Sequence, residues 1–191
     1  MKIGIIDCGG ANLSSIGYSI NRLGYEPVIT NNLNKLKNVD KLIIPGVGSA
    51  DRVMNNLKKS NLDLFIKNTE IPILGICIGM QILFDFSQES NTECLGIIEG
   101  VVEKLEPSSS FPSPQMGWNL VTWHNNDSLN GYYYYANSYA VHDSTHAKAI
   151  SQYSKSIVAE VQKDNYIGCQ FHPEKSSQVC HKYLKNFILK S

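Results

Sequence analysis

Residues 74–81 read Leu-Gly-Ile-Cys-Ile-Gly-Met-Gln, with a cysteine between two glycines as Gly75-x-Cys77-x-Gly79. A buried-looking run, Ile71-Pro72-Ile73-Leu74, precedes it and an apolar stretch, Met80 to Phe84, follows. Strand, tight turn, helix is the expected local structure, with Cys77 at the apex. This is the cysteine form of a nucleophile elbow, in which a strained turn exposes the reactive side chain. The glycines keep side chains clear of the turn and of an approaching substrate. Free N–H groups at the start of the helix favour negative charge at the apex, and the Ile78 N–H is placed to donate to an oxyanion. A lone cysteine among apolar residues is more often simply buried, so the rest of the chain has to decide.

A thiol nucleophile needs a base, and the base needs an orienting group. Of the histidines, His172 ends a strand-like run, Gly168-Cys169-Gln170-Phe171, and Pro173 restricts its backbone to extended conformations. Glu174 is near enough to hold the ring's tautomer. A third strand end, Pro45-Gly46-Val47-Gly48, offers backbone N–H groups toward a developing negative charge. Three strand ends thus carry a nucleophile, a base with its orienter, and an oxyanion turn, the parts acyl transfer requires.

Parallel strands would gather those ends at one sheet edge, where open α/β folds bind ligands. Strand patterns at 2–7, 25–30, 41–44 and 71–74 alternate with helical spacing at Ile16, Ile20 and Leu23, then over 51–57 and 62–67. After Phe86 the pattern turns to short strands, 131–135, 157–162 and 167–171, before a last helix with Val179, Tyr183, Phe187 and Ile188 on one face and Ser177 as its cap. The expectation is α/β, a three-layer sandwich on a mostly parallel, mixed central sheet. The 191 residues, without linker or repeat, suggest a single domain over 1–191.

Lys plus Arg and Asp plus Glu balance at 17 each, which gives no general attraction to nucleic acid or an anionic membrane. No apolar run approaches the roughly 20 residues of a membrane helix, and the five cysteines lack metal-finger spacing. A cytoplasmic protein with free thiols and no metal or cofactor is expected. His142 and His146 stand four apart, but in a strand-and-turn segment rather than on a helix face. Tyr132 to Tyr135 alternate across a strand and read as core and interface packing.

Gly-Ile-Cys-Ile-Gly-Met-Gln with a downstream Gln-Phe-His-Pro-Glu-Lys-Ser resembles the class I (triad) glutamine amidotransferases. Pro45-Gly46-Val47-Gly48-Ser49, Gln115-Met116-Gly117-Trp118-Asn119, Asn137-Ser138-Tyr139 and the Gly10-Ala11-Asn12-Leu13 loop narrow the resemblance to glutaminase subunits of imidazole glycerol phosphate synthases. The resemblance implies that L-glutamine is hydrolysed through a glutamyl thioester, with Cys77 as nucleophile, His172 as base and Glu174 as orienter. It implies an oxyanion and substrate site of Gly46, Val47, Gly48, Ile78, Gln81, Asn137, Ser138 and Tyr139. It also implies that Gln115, Met116, Gly117, Trp118, Asn119 and Lys175 face a separate (β/α)₈-barrel cyclase, which receives the ammonia in histidine biosynthesis. A gated enzyme follows, nearly idle alone, with the Pro45–Ser49 turn reorienting a peptide N–H when the partner docks. Cys8, Ala50, Gln115 and Asn137 depart from the residues usual at their positions. They leave open a paralogue feeding another synthase, such as one forming an amidino sugar. A stand-alone cysteine hydrolase and a non-catalytic regulatory subunit compete with both.

Overall fold

The computed structural model describes residues 1–9, 13–46, 48–175 and 177–189. The first half alternates: β1 (Ile3–Ile6), α1 (Leu13–Arg22), β2 (Pro27–Thr30), α2 (Leu33–Leu36), β3 (Lys41–Ile44), α3 (Ala50–Lys59), α4 (Leu62–Asn68), β4 (Ile73–Ile76) and α5 (Ile78–Gln81). Then come β5 (Phe86–Ser87), β6 (Thr92–Glu93), β7 (Val101–Lys104), β8 (Gln115–Trp123), β9 (Gly131–Asn137), β10 (Tyr139–Ala140), β11 (Ala147–Tyr153), β12 (Lys155–Lys163), β13 (Tyr166–Cys169) and α6 (Gln178–Leu189).

The main sheet runs β2-β1-β3-β4-β13-β12-β11-β8-β9, and β10-β7-β5-β6 form a smaller one. From β2 to β13 the pairings are parallel; from β13 to β9 they are antiparallel. The mixed sheet is therefore divided evenly, its parallel half carrying the strand ends that matter. The apolar strands of that half, β1, β3 and β4, are buried throughout, as strands covered on both faces must be.

Side-chain alternation identifies the two covering layers. On β13 the Tyr166 hydroxyl donates to Ile66 O of α4 and Gly168 faces Met80 of α5. The alternate Ile167 shares a cavity with Tyr183 of α6, and Lys41 of β3 reaches over the Phe187 ring of α6. Helices α4 and α5 thus lie on one face and α6 on the other. Ser177 caps α6 as expected, its Oγ accepting from the Cys180 N–H at 3.2 Å. Tyr133 and Tyr135 are fully buried while Tyr132 is exposed, and Tyr133 packs 4.2 Å (ring centroids) from Phe171, just before His172.

Two strands of the main sheet escape the sequence patterns. In β8 and β11 outward apolar residues and inward polar ones blur the alternation: Met116, Trp118 and Leu120 are exposed while Gln115 and Ser151 are buried. Among the described residues no helix is long and apolar enough to cross a membrane.

Candidate active site

The elbow forms because three glycines let backbones approach closely. A Cβ on Gly75 would lie 2.3 Å from Gly79 O, one on Gly79 2.1 Å from Ile44 O, and one on Gly46 1.8 Å from Ile76 O. Each contact is far inside the closest approach of real atoms. Cys77 itself sits at φ 52°, ψ −108°, a conformation that costs a non-glycine residue of order 1–3 kcal/mol and that clusters at functional sites. Its N–H is held by Cys169 O at 2.7 Å, which ties the turn to β13. The helix behind it is shorter than the apolar run suggests. After Gln81 the chain tightens into i→i−3 bonds, Leu83 N to Met80 O and Phe84 N to Gln81 O. A helix of one turn has little macrodipole, so local N–H groups such as that of Ile78 supply the polarity.

His172 and Glu174 come to the same place from the end of β13. The His172 N–H donates to Tyr134 O at 2.8 Å, and Nδ1 lies 2.8 Å from Glu174 Oε1. With Nδ1 donating to the carboxylate, Nε2 is left for the sulfur. Both residues are buried. Burial by itself would lower the imidazole pKa, but the Cys77 sulfur, through its charge and a hydrogen bond, and the Glu174 carboxylate outweigh it and hold it up at about 10. The ring is thus charged at neutral pH, ready to deliver a proton. Turnover is expected to fall as pH rises through about 10, where that proton is lost. Glu174→Gln removes one group holding the pKa up, so the alkaline fall in a kcat profile should move to lower pH; an unmoved limb would detach Glu174 from the imidazole.

Cys77 and His172 open on a cavity of about 430 Å³ whose walls include Gly46, Gly48, Ile78 and Gln81 on one side of the chain order and Asn137, Ser138 and Tyr139 on the other. Val47 lies outside the described residues. Gln81 is 1% exposed, and its Nε2 is committed to Tyr139 O at 2.9 Å and Gln170 Oε1 at 2.8 Å. Its Oε1, like Asn137 Oδ1, is buried without a hydrogen-bond partner among the described residues. A larger cavity, about 650 Å³, lies at Trp123, Glu160 and Tyr183 and contains none of these groups.

Glu89 also lines the site, and the sequence patterns missed it. It sits on a 3₁₀ turn, Glu89–Asn91, beside the small sheet, where no periodicity marks it. Burial raises its carboxyl pKa, partly offset by the Ala50 N–H that donates to it at 2.8 Å.

The segment 115–119 contributes alternate residues only. Met116 and Trp118 are exposed, whereas Gln115 is 2% exposed and Asn119 bonds Gln152 O. Gln115, expected on the docking surface, faces inward opposite Asn137 in the chain by itself. Leu120 and Tyr132, paired across β8 and β9, extend the exposed apolar strip. Lys175 Nζ lies 5.1 Å from the Tyr134 ring centroid at the strip's end nearest the cavity.

Residues 4–191 match the class-I glutamine amidotransferase family. The chain belongs to that family. Among its relatives, the imidazole glycerol phosphate synthase subunit HisH of Haemophilus influenzae (strain Rd) is 44% identical, over 100% of this chain and 98% of that protein. HisH 2 of Campylobacter jejuni (strain RM1221) is 43% identical over 98% of each. Among solved structures, a glutamine amidotransferase has a TM-score of 0.77 at 14% identity, covering 97% of both chains. A chain of the PurLQS structure from Thermotoga maritima scores 0.71 at 16% identity, covering 98% of this chain and 97% of that one. At such identities these two structures speak for the α/β fold alone. The class I amidotransferase fold and enzyme class drawn from the motifs hold.

Proposed function

We propose that this chain is the glutaminase subunit of a cytoplasmic imidazole glycerol phosphate synthase, hydrolysing L-glutamine and passing the ammonia to a (β/α)₈-barrel cyclase. The observation that carries the chemistry is Cys77 at the strained elbow, facing an imidazole held by Glu174. Full-length identity to HisH proteins supports the pathway.

In the first half-reaction the Cys77 sulfur attacks the carboxamide carbon, and the oxyanion is met by the Ile78 N–H and the Gly46–Gly48 turn. His172 gives its proton to the amide nitrogen, the C–N bond breaks and ammonia leaves a glutamyl thioester. His172, now neutral, takes a proton from water as its oxygen attacks the thioester. Collapse breaks the C–S bond, returning thiolate, imidazolium and glutamate. Glu89, which lines the cavity, suits the α-ammonium of the amino-acid substrate.

Met116, Trp118, Leu120 and Tyr132 form the docking strip in this reading, with Lys175 beside it. Exposed aromatic and apolar residues in a contiguous patch mark interaction sites. Because the strip ends at the cavity, docking also covers the exit through which ammonia would otherwise be lost. The test measures glutamine hydrolysis by the chain alone, with its cyclase, and with cyclase plus acceptor substrate. Activation is expected, of about 10²–10³ for each oxyanion donor brought into place. Equal rates in all three conditions would favour a stand-alone hydrolase.

A further inference from the structure

Behind the Cys77–His172–Glu174 set, a second line of side chains reaches the same sulfur. Gln170 lies two residues before His172 and is fully buried. Its Nε2 is 3.5 Å from Cys77 Sγ, within the range of an N–H donor to sulfur. Its Oε1 accepts from Gln81 Nε2 at 2.8 Å, and the same nitrogen donates to Tyr139 O at 2.9 Å. Tyr139 O also accepts from Asn137 Nδ2 at 3.0 Å.

We infer that Gln170 is a further catalytic residue of this site, an amide donor held on the nucleophile's sulfur by a buried relay running from Tyr139 O through Gln81. The inference rests on Cys77 being the nucleophile.

The relay determines its own polarity. Tyr139 O can only accept, so Gln81 turns its NH₂ toward it, and the same NH₂ meets Gln170 Oε1. Gln170 then has only Nε2 to present to the sulfur. Reversing the Gln170 amide would set its oxygen against a negatively charged sulfur and its NH₂ against that of Gln81. Both contacts would be repulsive between buried side chains. Hydrogen bonds to charged groups are the strong ones.

A neutral amide donor does something His172 cannot. The imidazole loses its proton when ammonia departs and regains it when water attacks, so its attraction for the sulfur changes through the cycle. The Gln170 N–H carries no exchangeable catalytic proton and stays on the sulfur in both half-reactions. It aims the thiolate for attack and stabilises it again as the leaving group of the thioester. The far end of the relay is at Asn137 and Tyr139, and Ala136 and Tyr134, just before them on β9, pair with Met116 and Trp118 of the proposed docking strip. Movement of that segment would therefore be transmitted to the nucleophile through two side chains.

The experiment compares wild type with Gln170→Met, which keeps length and removes the donor, and Gln170→Glu, which keeps shape and offers only acceptors when ionised. Cys77 alkylation by iodoacetamide at neutral pH, located by peptide mapping, requires neither glutamine nor a partner. Both variants should alkylate at Cys77 about tenfold or more slowly. In the assembled synthase, kcat should fall about 10–100-fold with KM for glutamine little changed, the range for a lost bond to a charged group. Wild-type alkylation rates and kcat in folded Gln170→Met would overturn the inference. If neither variant folds, wild type labelled with ¹⁵N-glutamine decides: alkylating Cys77 should shift a slowly exchanging side-chain amide signal, and no shift overturns it. Alkylation of wild type at another cysteine instead would strike at the assignment of Cys77, a distinguishable failure.

Discussion

Cys77→Ala is expected to lower glutamine hydrolysis by roughly 10⁵–10⁶-fold, the scale seen when the nucleophile of a covalent mechanism is removed. Without the sulfur no thioester forms, and the remaining groups can only bind substrate and polarise its carbonyl. The elbow geometry makes the effect specific to this cysteine. Cys8, Cys169 and Cys180 are buried, and burial raises all three thiols, with Asp7 adding to the effect at Cys8 and Glu160 at Cys169. Cys94 is half-buried, and burial pushes it up to about 11. Each should tolerate Ser in an activity assay done with the partner present. Substantial turnover in Cys77→Ala would falsify the covalent mechanism. Because Cys77 is strained and lies 3% exposed beside a cavity, Ala should leave the unfolding midpoint close to wild type, so the loss would not be one of folding.

His172→Ala is expected to cost about 10³–10⁴-fold in kcat, the upper part of the general acid–base range. It removes both the proton given to ammonia and the base that activates water, and it leaves the Glu174 carboxylate buried without the ring that now meets it at 2.8 Å. Glu174→Ala should cost less, because the ring keeps its backbone anchor through Tyr134 O and can still reach the sulfur. Single-turnover thioester formation and breakdown would both slow in His172→Ala. Should Glu174→Ala prove the worse of two folded variants, base and orienter would exchange roles.

Local chemistry wrote much of this into the chain. Gly75 and Gly79 around Cys77, Pro173 after His172, and Glu174 two residues on are short-range requirements, so they survive as motifs legible without a structure. The buried strands β1, β3 and β4 show as apolar runs for the same reason, since both faces are covered. Cross-chain geometry left no such mark. Gln170 meets Cys77 and Gln81 only because β13 pairs with β4 in parallel register, Cys169 opposite Ile76. Glu89 enters the cavity from a turn beside the small sheet, and Gln115 turns inward because alternation along β8 sends Met116 and Trp118 out. The even division of the sheet also depends on long-range pairing, which recruits β8 and β11 despite their broken alternation. Residue types and spacing determined the reacting groups, because a strained turn and a His-Pro-Glu end are built from neighbours. Tertiary structure decided which other side chains touch them, because those contacts join residues tens of positions apart whose meeting only the sheet order specifies.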